Sequence, residues 1–180
     1  NKPVINIKNL NVDYITDKNP INAVRDVTFE IFSGEIFGLV GESGSGKSTV
    51  VQAMMRILPP PAIISKGEVI INNEDVLASS SSDVVGMRWK KISIVMQSAL
   101  NALNPVLSIR EQIHDVLKTH KNLIGLDADE RAKELLSLVE IDHDRLDSFP
   151  HQLSGGMKQR IVIAIALAIM PPVIIMDEPT

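Results

Sequence analysis

The sequence contains no cysteine among its 180 residues. Without cysteine the fold cannot depend on disulfides, and nothing in the composition indicates an oxidising compartment. A chain of this length can bury one ordinary hydrophobic core without covalent links. The sequence therefore predicts one compact unit with subdivisions.

Neither an excess of one charge nor a long apolar run is present. Lys and Arg number 18 and Asp and Glu 22, with both signs interspersed, which argues against a nucleic-acid-binding surface as the main function. The longest apolar run, Ile161–Met170, ends at two prolines, whereas a membrane helix needs about 20 residues. The first residues lack the pattern of a signal peptide. We therefore expect contact with a membrane only through a partner.

A glycine-rich segment carries the strongest motif. Residues 41–49 read GESGSGKST and fit GxxxxGKS, between an apolar run at Ile36–Val40 and a helical pattern at Lys47–Leu58. The apolar run predicts a strand buried on both faces. Glycines let successive backbone N–H groups face phosphate oxygens, and the positive end of the following helix strengthens that field. Lys47 would reach the β- and γ-phosphates and the Ser48 hydroxyl would bind Mg²⁺.

A second apolar run, Val173–Met176, predicts a buried strand that ends in Asp177 and Glu178. In open α/β folds ligands bind at this end of the strands. Asp177 would hold the metal through water, and Glu178 would act as general base on the attacking water. Taken alone, such a run is more often a strand end with solvated charges. Its pairing with the phosphate-binding motif at residues 41–49, here called the phosphate loop, favours the functional interpretation.

The third motif is the segment LSGGMKQR at residues 153–160. Ser154 is a plausible N-cap, and the two glycines after it leave the amides of a helix start open to a phosphate. One chain needs only one cradle for one triphosphate. The alternative is a capped helix with a flexible entry.

Together, and in the order they have along the chain, the three motifs resemble those of the ABC transporter ATPases, in which the signature LSGG closes over nucleotide held by the opposite subunit. The resemblance spans essentially the whole chain. It implies an α/β fold, with a P-loop NTPase core, an N-terminal antiparallel β-subdomain and an inserted helical subdomain. The core would comprise residues 1–97 and 161–180, and the helical signature subdomain residues 98–160. The signature residues that would act in trans, on the nucleotide of the other subunit, are Ser154, Gly155, Gly156 and Gln159.

The resemblance also implies ligands and partners. ATP and Mg²⁺ would bind between two ATPase subunits, identical or different, on the cytoplasmic face of the cell membrane. The helical subdomain would dock on transmembrane permease subunits, with an extracytoplasmic substrate-binding protein acting indirectly and no nucleic acid involved. The expected ATP-binding residues are Tyr14, Gly41, Ser43, Gly44, Ser45, Gly46, Lys47, Ser48 and Thr49. The expected catalytic residues are Glu178, Gln97 and Lys47, and the expected metal ligands are Ser48, Gln97 and Asp177.

Two of these positions rest on the resemblance alone. Gln97 follows the predicted strand Ile92–Met96 and matches the glutamine that contacts Mg²⁺ and the attacking water in the family. Tyr14 lies where the family keeps an aromatic ring that stacks on adenine, and a flat ring is what base stacking requires. The default role of a lone tyrosine in a strand is packing.

The segment from Gln97 to Leu107 and the residues FPHQ at 149–152 resemble the dipeptide, oligopeptide and nickel importer group. Met96 and Ser98-Ala99 depart from the commoner Phe before the glutamine and Asp-Pro after it. Some members of the group carry oligosaccharides, so the cargo stays open. A soluble ABC ATPase of DNA repair or translation, or a module whose ATP binding only regulates assembly, are the alternatives.

Periodicity and capping signals predict the remaining elements. Alternation at Ile5 and Ile7, and again at Val27–Ile31, predicts strands, as do the runs at 67–71 and 92–96. The serines at 79–82 predict a loop or the start of a short helix. Ser108 with Glu111, and Asp127 with Glu130, fit capping boxes, and a third helix is expected from Ser154 to Met170. The four histidines, at 114, 120, 143 and 151, show no ligand spacing.

Because the chain ends just after MDEPT, we also expect that a C-terminal part is missing and that the chain binds ATP better than it hydrolyses it.

Overall fold

The computed structural model describes residues 2–96 and 102–177. Two compact units make up the chain, Asn1–Lys91 and Ile92–Thr180. Residues 98–160, the predicted helical subdomain, fall within the second unit. The predicted grouping of residues 161–180 with the first part of the chain stays a prediction. Among the described helices, none combines the length and hydropathy that a membrane span requires.

The first unit is built on a four-stranded antiparallel sheet. Its strands are β1 (Ile5–Tyr14), β2 (Ile21–Ile31), β3 (Ala62–Ile71) and β4 (Glu74–Asp75), in the order β2-β1-β3-β4. The predicted β-rich opening of the chain is therefore confirmed. In β1 the buried side chains are at odd-numbered positions first, Ile5 and Ile7, and at even-numbered positions later, Leu10 and Val12. The pairing with β2 shifts in register between Ile7 and Leu10. A bulge of this kind keeps both pairs of side chains on one face of the sheet.

Two helices complete the first unit. Helix α1 (Lys47–Met54) packs against β1 and β2 and buries Val50, Ala53 and Met54, and α2 (Ser81–Met87) is capped by Ser80. The predicted helix 47–58 is too long at its end, because Arg56 has a φ of 46° and the Arg88 guanidinium binds the carbonyls of Met55 and Arg56. These carbonyls find a side-chain donor in place of a further helical turn.

The predicted strand at Ile36–Val40 is wrong. No regular strand forms there, and Ile36 and Val40 are almost fully exposed. An apolar run becomes a buried strand only where neighbouring strands supply hydrogen-bond partners and cover both faces. In the described part of the chain, no strand pairs with these residues.

The second unit combines a parallel strand pair with a helical cluster. Strands β5 (Ile92–Val95) and β6 (Val173–Met176) pair in parallel from Ile92↔Val173 to Val95↔Met176. The helices are α3 (Ile109–Lys121), α4 (Gly125–Leu138) and α5 (Gly155–Ala166), with two 3₁₀ turns at His143–Asp147 and Pro150–Gln152. Their shared core buries Ile113, Leu117, Leu135, Leu136, Leu146 and Ile161 completely.

The capping signals were right for α3 and α5 and wrong for α4. Ser108 and Glu111 form the predicted capping box, and the Ser154 hydroxyl accepts a hydrogen bond from the Met157 amide. Helix α4 begins at Gly125, after Ile124, without a side-chain cap, so Asp127 lies in its first turn. There its charge still favours the positive end of the helix. Helix α5 gives way to turns after Ala166, before the predicted end at Met170.

Candidate functional site

The phosphate loop leads into α1 as a tight turn. The backbone reaches positive φ at Gly44 (77°) and Gly46 (91°), which only glycine adopts without strain. The Lys47 ammonium lies within the loop and donates to the carbonyls of Gly41 and Glu42, at 2.9 and 2.7 Å. The geometry is that of a cation held inside a curled backbone at a helix N-terminus, as the motif predicts.

Gly46 also meets the sheet. A Cβ atom at this position would lie 2.6 Å from the Ala23 carbonyl oxygen and 3.4 Å from a Val24 methyl group. The glycine is therefore required both by its backbone conformation and by the close approach of β2. This contact fixes the end of the phosphate loop to the antiparallel sheet.

Most other predicted nucleotide-binding positions surround this turn. Gly41, Ser43, Gly44, Ser45 and Ser48 are exposed, and Thr49 is half-buried. The Ser45 amide donates to the Glu42 carbonyl, which closes the turn. These residues present an accessible surface of backbone amides and hydroxyl groups.

Tyr14 lies at the last position of β1. It pairs with Ile21 of β2 and Ala62 of β3, and its ring is partly exposed. Val24, whose methyl group lies next to Gly46, pairs with Val12, which precedes Tyr14 by two residues in β1. The sheet thus brings Tyr14 to the same end of β1 and β2 that meets the phosphate loop.

The parallel strands bring the second group of predicted residues to one end. The Asp177 amide donates to the Val95 carbonyl at 2.9 Å, so the chain beyond β6 continues the ladder with β5. Asp177 therefore stands at the carboxyl end of the pair, where β5 also ends. Gln97 and Glu178 lie outside the described residues, and their roles stay predictions.

The signature is exposed at the start of α5. Leu153 is buried, whereas Ser154, Gly155 and Gly156 are exposed. Nothing lies within 4 Å of a Cβ placed on either glycine. The helix start therefore offers open amides beside the Ser154 hydroxyl, and Gln159 lies half-buried one turn further on.

Two supporting residues were missed by the sequence analysis. The Arg160 guanidinium donates to the carbonyls of Val139 and Glu140, so the last residue of the signature motif binds the C-terminal end of α4. The Gln112 amide bonds both the N–H and the C=O of Asn104, at 2.8 and 3.1 Å. Neither contact has a sequence signal, because in both a side chain bonds backbone groups outside its own helix, 8 residues away for Gln112 and about 20 for Arg160.

Three of the four histidines contact side chains that were not predicted to bind nucleotide or metal. His143 bonds Ser137 at 2.7 Å, His114 lies 3.1 Å from Asp129, and the His151 ring stacks on Phe149. Across residues 2–96 and 102–177, no group of three or more His, Cys, Asp or Glu side chains is placed to hold a metal ion.

Comparison with known proteins gives consistent matches. A family model described as ABC transporter matches residues 24–180. The dipeptide transport ATP-binding protein DppD of Bacillus subtilis (strain 168) is 41% identical, over 98% of this chain and 54% of that protein. The oligopeptide transport ATP-binding protein OppD of the same organism is 39% identical, over 98% of this chain and 50% of that protein. The chain spans about half the length of the curated relatives it matches.

Solved structures agree with the fold. The dimeric structure of MJ0796, a bacterial ABC transporter cassette, superposes with a TM-score of 0.87 at 32% identity, over 98% of this chain and 74% of that chain. A post-hydrolysis state of the same cassette bound to ADP and Pi gives a TM-score of 0.84 at 31% identity, with the same coverage. These matches confirm the predicted P-loop α/β fold.

Proposed function

The chain belongs to the ABC transporter family, and on that premise we propose that it binds and hydrolyses ATP to power a permease that imports di- or oligopeptides. The observation that carries the proposal is the exposed start of α5. The chain has two separate clusters of open backbone amides, at the phosphate loop and at the signature, and one triphosphate needs only one cradle. The second cluster is then available to the nucleotide of another subunit.

The phosphate loop supplies the binding energy for ATP. Its amides and the Lys47 ammonium would hold the β- and γ-phosphates, with the phosphate oxygens replacing the two carbonyls that Lys47 now binds. Tyr14 would stack on the adenine from the adjoining end of the sheet. The Ser48 hydroxyl, the Gln97 amide and the Asp177 carboxylate are oxygen donors of the kind Mg²⁺ prefers, and the ion would neutralise phosphate charge there.

The second subunit completes the site. Its Ser154 hydroxyl and the amides of Gly155 and Gly156 would face the γ-phosphate. Glu178 would take a proton from the attacking water, and Gln97 would orient that water. In this arrangement ATP favours the closed dimer and release of phosphate favours the open one, which is a ligand-controlled two-state switch.

The partners follow from the same proposal. The cluster of α3, α4 and α5 would dock on the cytoplasmic side of a permease, so the subunit would lie peripherally on the cell membrane. Support for peptide cargo comes from the names of the dipeptide and oligopeptide transport relatives and from the FPHQ segment before the signature. An extracytoplasmic binding protein would select the cargo.

The variant Glu178→Gln tests the enzymatic proposal. We expect hydrolysis to fall by about a hundredfold or more, while ATP still binds and now holds the chain as a dimer, because only the general base is removed. The measurements are phosphate release and light scattering after size-exclusion chromatography. Glu130→Gln, at an exposed position on α4, is the matched control. If neither the wild type nor Glu178→Gln releases phosphate and ATP dimerises both alike, ATP binding only regulates assembly. Phosphate release by Glu178→Gln at the wild-type rate would show that Glu178 is not the general base.

Cargo is tested with the permease present. The chain is purified from membranes with its permease and reconstituted in vesicles with the binding protein of the same complex. We expect dipeptides or short oligopeptides to raise ATP hydrolysis, and neither nickel nor oligosaccharides to do so. If only nickel or only an oligosaccharide raised ATP hydrolysis, the proposal of peptide import would be wrong and that cargo would take its place.

A further inference from the structure

The start of α3 is hydrogen-bonded to residues 147 and 148, in the segment that leads into the signature. The Arg110 guanidinium makes a two-pronged contact with Asp147, with Nε to Oδ1 at 2.8 Å and Nη2 to Oδ2 at 3.1 Å. One residue earlier the Ile109 amide donates to the Ser148 carbonyl at 3.0 Å. Backbone and side chain of the same helical turn therefore hold residues 147 and 148.

Arg110 also reaches a third element. Its Nη1 atom hydrogen-bonds the Asp129 carboxylate on α4. The hydrogen bond from Arg110 holds the pKa of the Asp147 carboxyl below its ordinary value, and Asp147 in turn raises the pKa of Arg110. An isolated ion pair on the surface contributes little to stability. An arginine that binds one carboxylate through two hydrogen bonds and also binds a second carboxylate has the geometry in which ion pairs do stabilise a fold.

The path from Asp147 to the signature is short and internally bonded. Residues 148–153 separate it from Ser154. Within this stretch the Phe149 amide donates to the Gln152 side chain, and the Gln152 and Leu153 amides donate to the carbonyls of Phe149 and Pro150. These bonds within residues 149–153 restrain the path, so a shift at Asp147 would be carried toward the start of α5.

We propose that Arg110 is a positioning residue for the signature: through its fork on Asp147 it sets where Ser154 and the α5 amides stand. Arg110 does not touch nucleotide in this proposal, which rests on the proposed function of the signature in trans. Losing the fork loosens the surface that the chain presents to its partner and leaves its own phosphate loop unchanged. The alternative is that buried Leu146 and Leu153 fix the path by themselves.

The first test separates binding from dimer formation, with Arg110→Gln placed in a Glu178→Gln background. A fluorescent ATP analogue is expected to bind the monomer with an unchanged Kd, and the Kd of the ATP-dependent dimer to rise about tenfold, since a charge-assisted fork is lost. Asp147→Asn, which alters an exposed carboxylate, is expected to act in the same direction and less. Arg145→Gln is the matched control, because Arg145 pairs with its neighbour Asp144 in the same turn. Equal dimer constants for Arg110→Gln and Arg145→Gln would overturn the proposal.

The second test uses mixed dimers in which Lys47→Ala inactivates one phosphate loop. When Arg110→Gln is in the other subunit, the working site receives an intact signature, and activity is expected to stay within twofold of the wild-type pairing. When Arg110→Gln and Lys47→Ala are in the same subunit, the working site receives the loosened signature, and activity is expected to fall about tenfold.

Equal loss in both arrangements shows a general structural role and overturns the proposal, as does no loss in either. If the Glu178→Gln reference binds the analogue but forms no dimer with ATP, the proposed function itself fails, and this proposal with it. A normal dimer in that reference, combined with an unaffected Arg110→Gln variant, overturns the positioning role alone.

Discussion

The phosphate loop and the signature are both glycine-containing helix starts, but they use glycine for opposite reasons. Gly46 has a φ of 91° and touches the Ala23 carbonyl, so its missing side chain is a condition of the local fold. Gly155 and Gly156 lie in helical backbone with open space around them. Gly46 is needed for the loop to fold, whereas Gly155 and Gly156 leave the backbone amides at the start of α5 accessible.

This difference has a consequence for substitution. At Gly46 any side chain disturbs the chain's own structure, whereas at Gly155 a side chain meets nothing until another molecule arrives. Changes in the loop should therefore be visible in an isolated monomer. Changes in the signature should affect ATP binding and hydrolysis only when two subunits meet around ATP.

Lys47→Ala should have the largest effect. It removes the ammonium that the loop surrounds, so we expect ATP binding to weaken and hydrolysis to fall by about a hundredfold or more. Folding should be little changed, because the bonds lost are those to Gly41 and Glu42 at an exposed turn. Phosphate release and thermal melting are the measurements, with exposed Lys133→Ala on α4 as control. Unaltered hydrolysis in Lys47→Ala would show that another loop binds ATP.

The pair Gly46→Ala and Gly155→Ala tests the comparison itself. Gly46→Ala should lower the free energy of unfolding by about 2 kcal/mol or more, through left-handed strain and the contact with Ala23. Gly155→Ala should raise it by up to about 1 kcal/mol, because alanine favours helix. Gly155→Ala should nevertheless weaken the ATP-dependent dimer. Denaturant unfolding and light scattering measure the two effects, and equal destabilisation would remove the distinction.

Ser154→Ala sharpens the signature side of the comparison. Loss of the hydrogen bond from Met157 should cost about 1 kcal/mol of unfolding free energy, as for other N-caps. Ser80→Ala removes an equivalent cap from α2, with a similar 3.2 Å contact to the Asp83 amide, and serves as control. Only Ser154→Ala should also weaken the dimer. An equal effect of both variants on dimer formation would reduce Ser154 to a cap.

The smallest expected effect is on the pH dependence of stability. Because Arg110 lowers the pKa of Asp147 in the folded chain, the stability from this pair is fully present above the ordinary aspartate value and is lost as pH falls through the lowered one. The difference in Tm between wild type and Asp147→Asn should therefore shrink below about pH 4. A difference that grows on acidification would contradict the ion pair.

Local signals in the sequence predicted the starts of α3 and α5 and the phosphate loop, although the capping signal at Asp127 was wrong for α4. Ser108 and Glu111 reach only each other and the backbone of one turn, so their spacing alone identifies the start of α3. Ser154 does the same for α5. The GxxxxGKS spacing predicts the positive φ values and the inward lysine, because both follow from a few consecutive residues.

The predictions that failed are those in which the structure depends on a particular distant partner. The apolar run at 36–40 has the composition of a buried strand, but composition does not supply a paired neighbour. The end of α1 depends on Arg88, some thirty residues away, and Asp147 is bound by Arg110, which precedes it by 37 residues. Such contacts are decided by tertiary packing, which a periodic pattern cannot report.

The most direct test of the account is complementation between two inactive variants. Lys47→Ala lacks a working phosphate loop and Gly155→Arg blocks the open face of the signature, so neither should hydrolyse ATP alone. Mixed in equal amounts, half of the dimers should contain one intact composite site, and activity should recover to about a quarter of the wild-type rate. A mixture that remains as inactive as its two components would contradict the convergence of amides from two chains on one triphosphate.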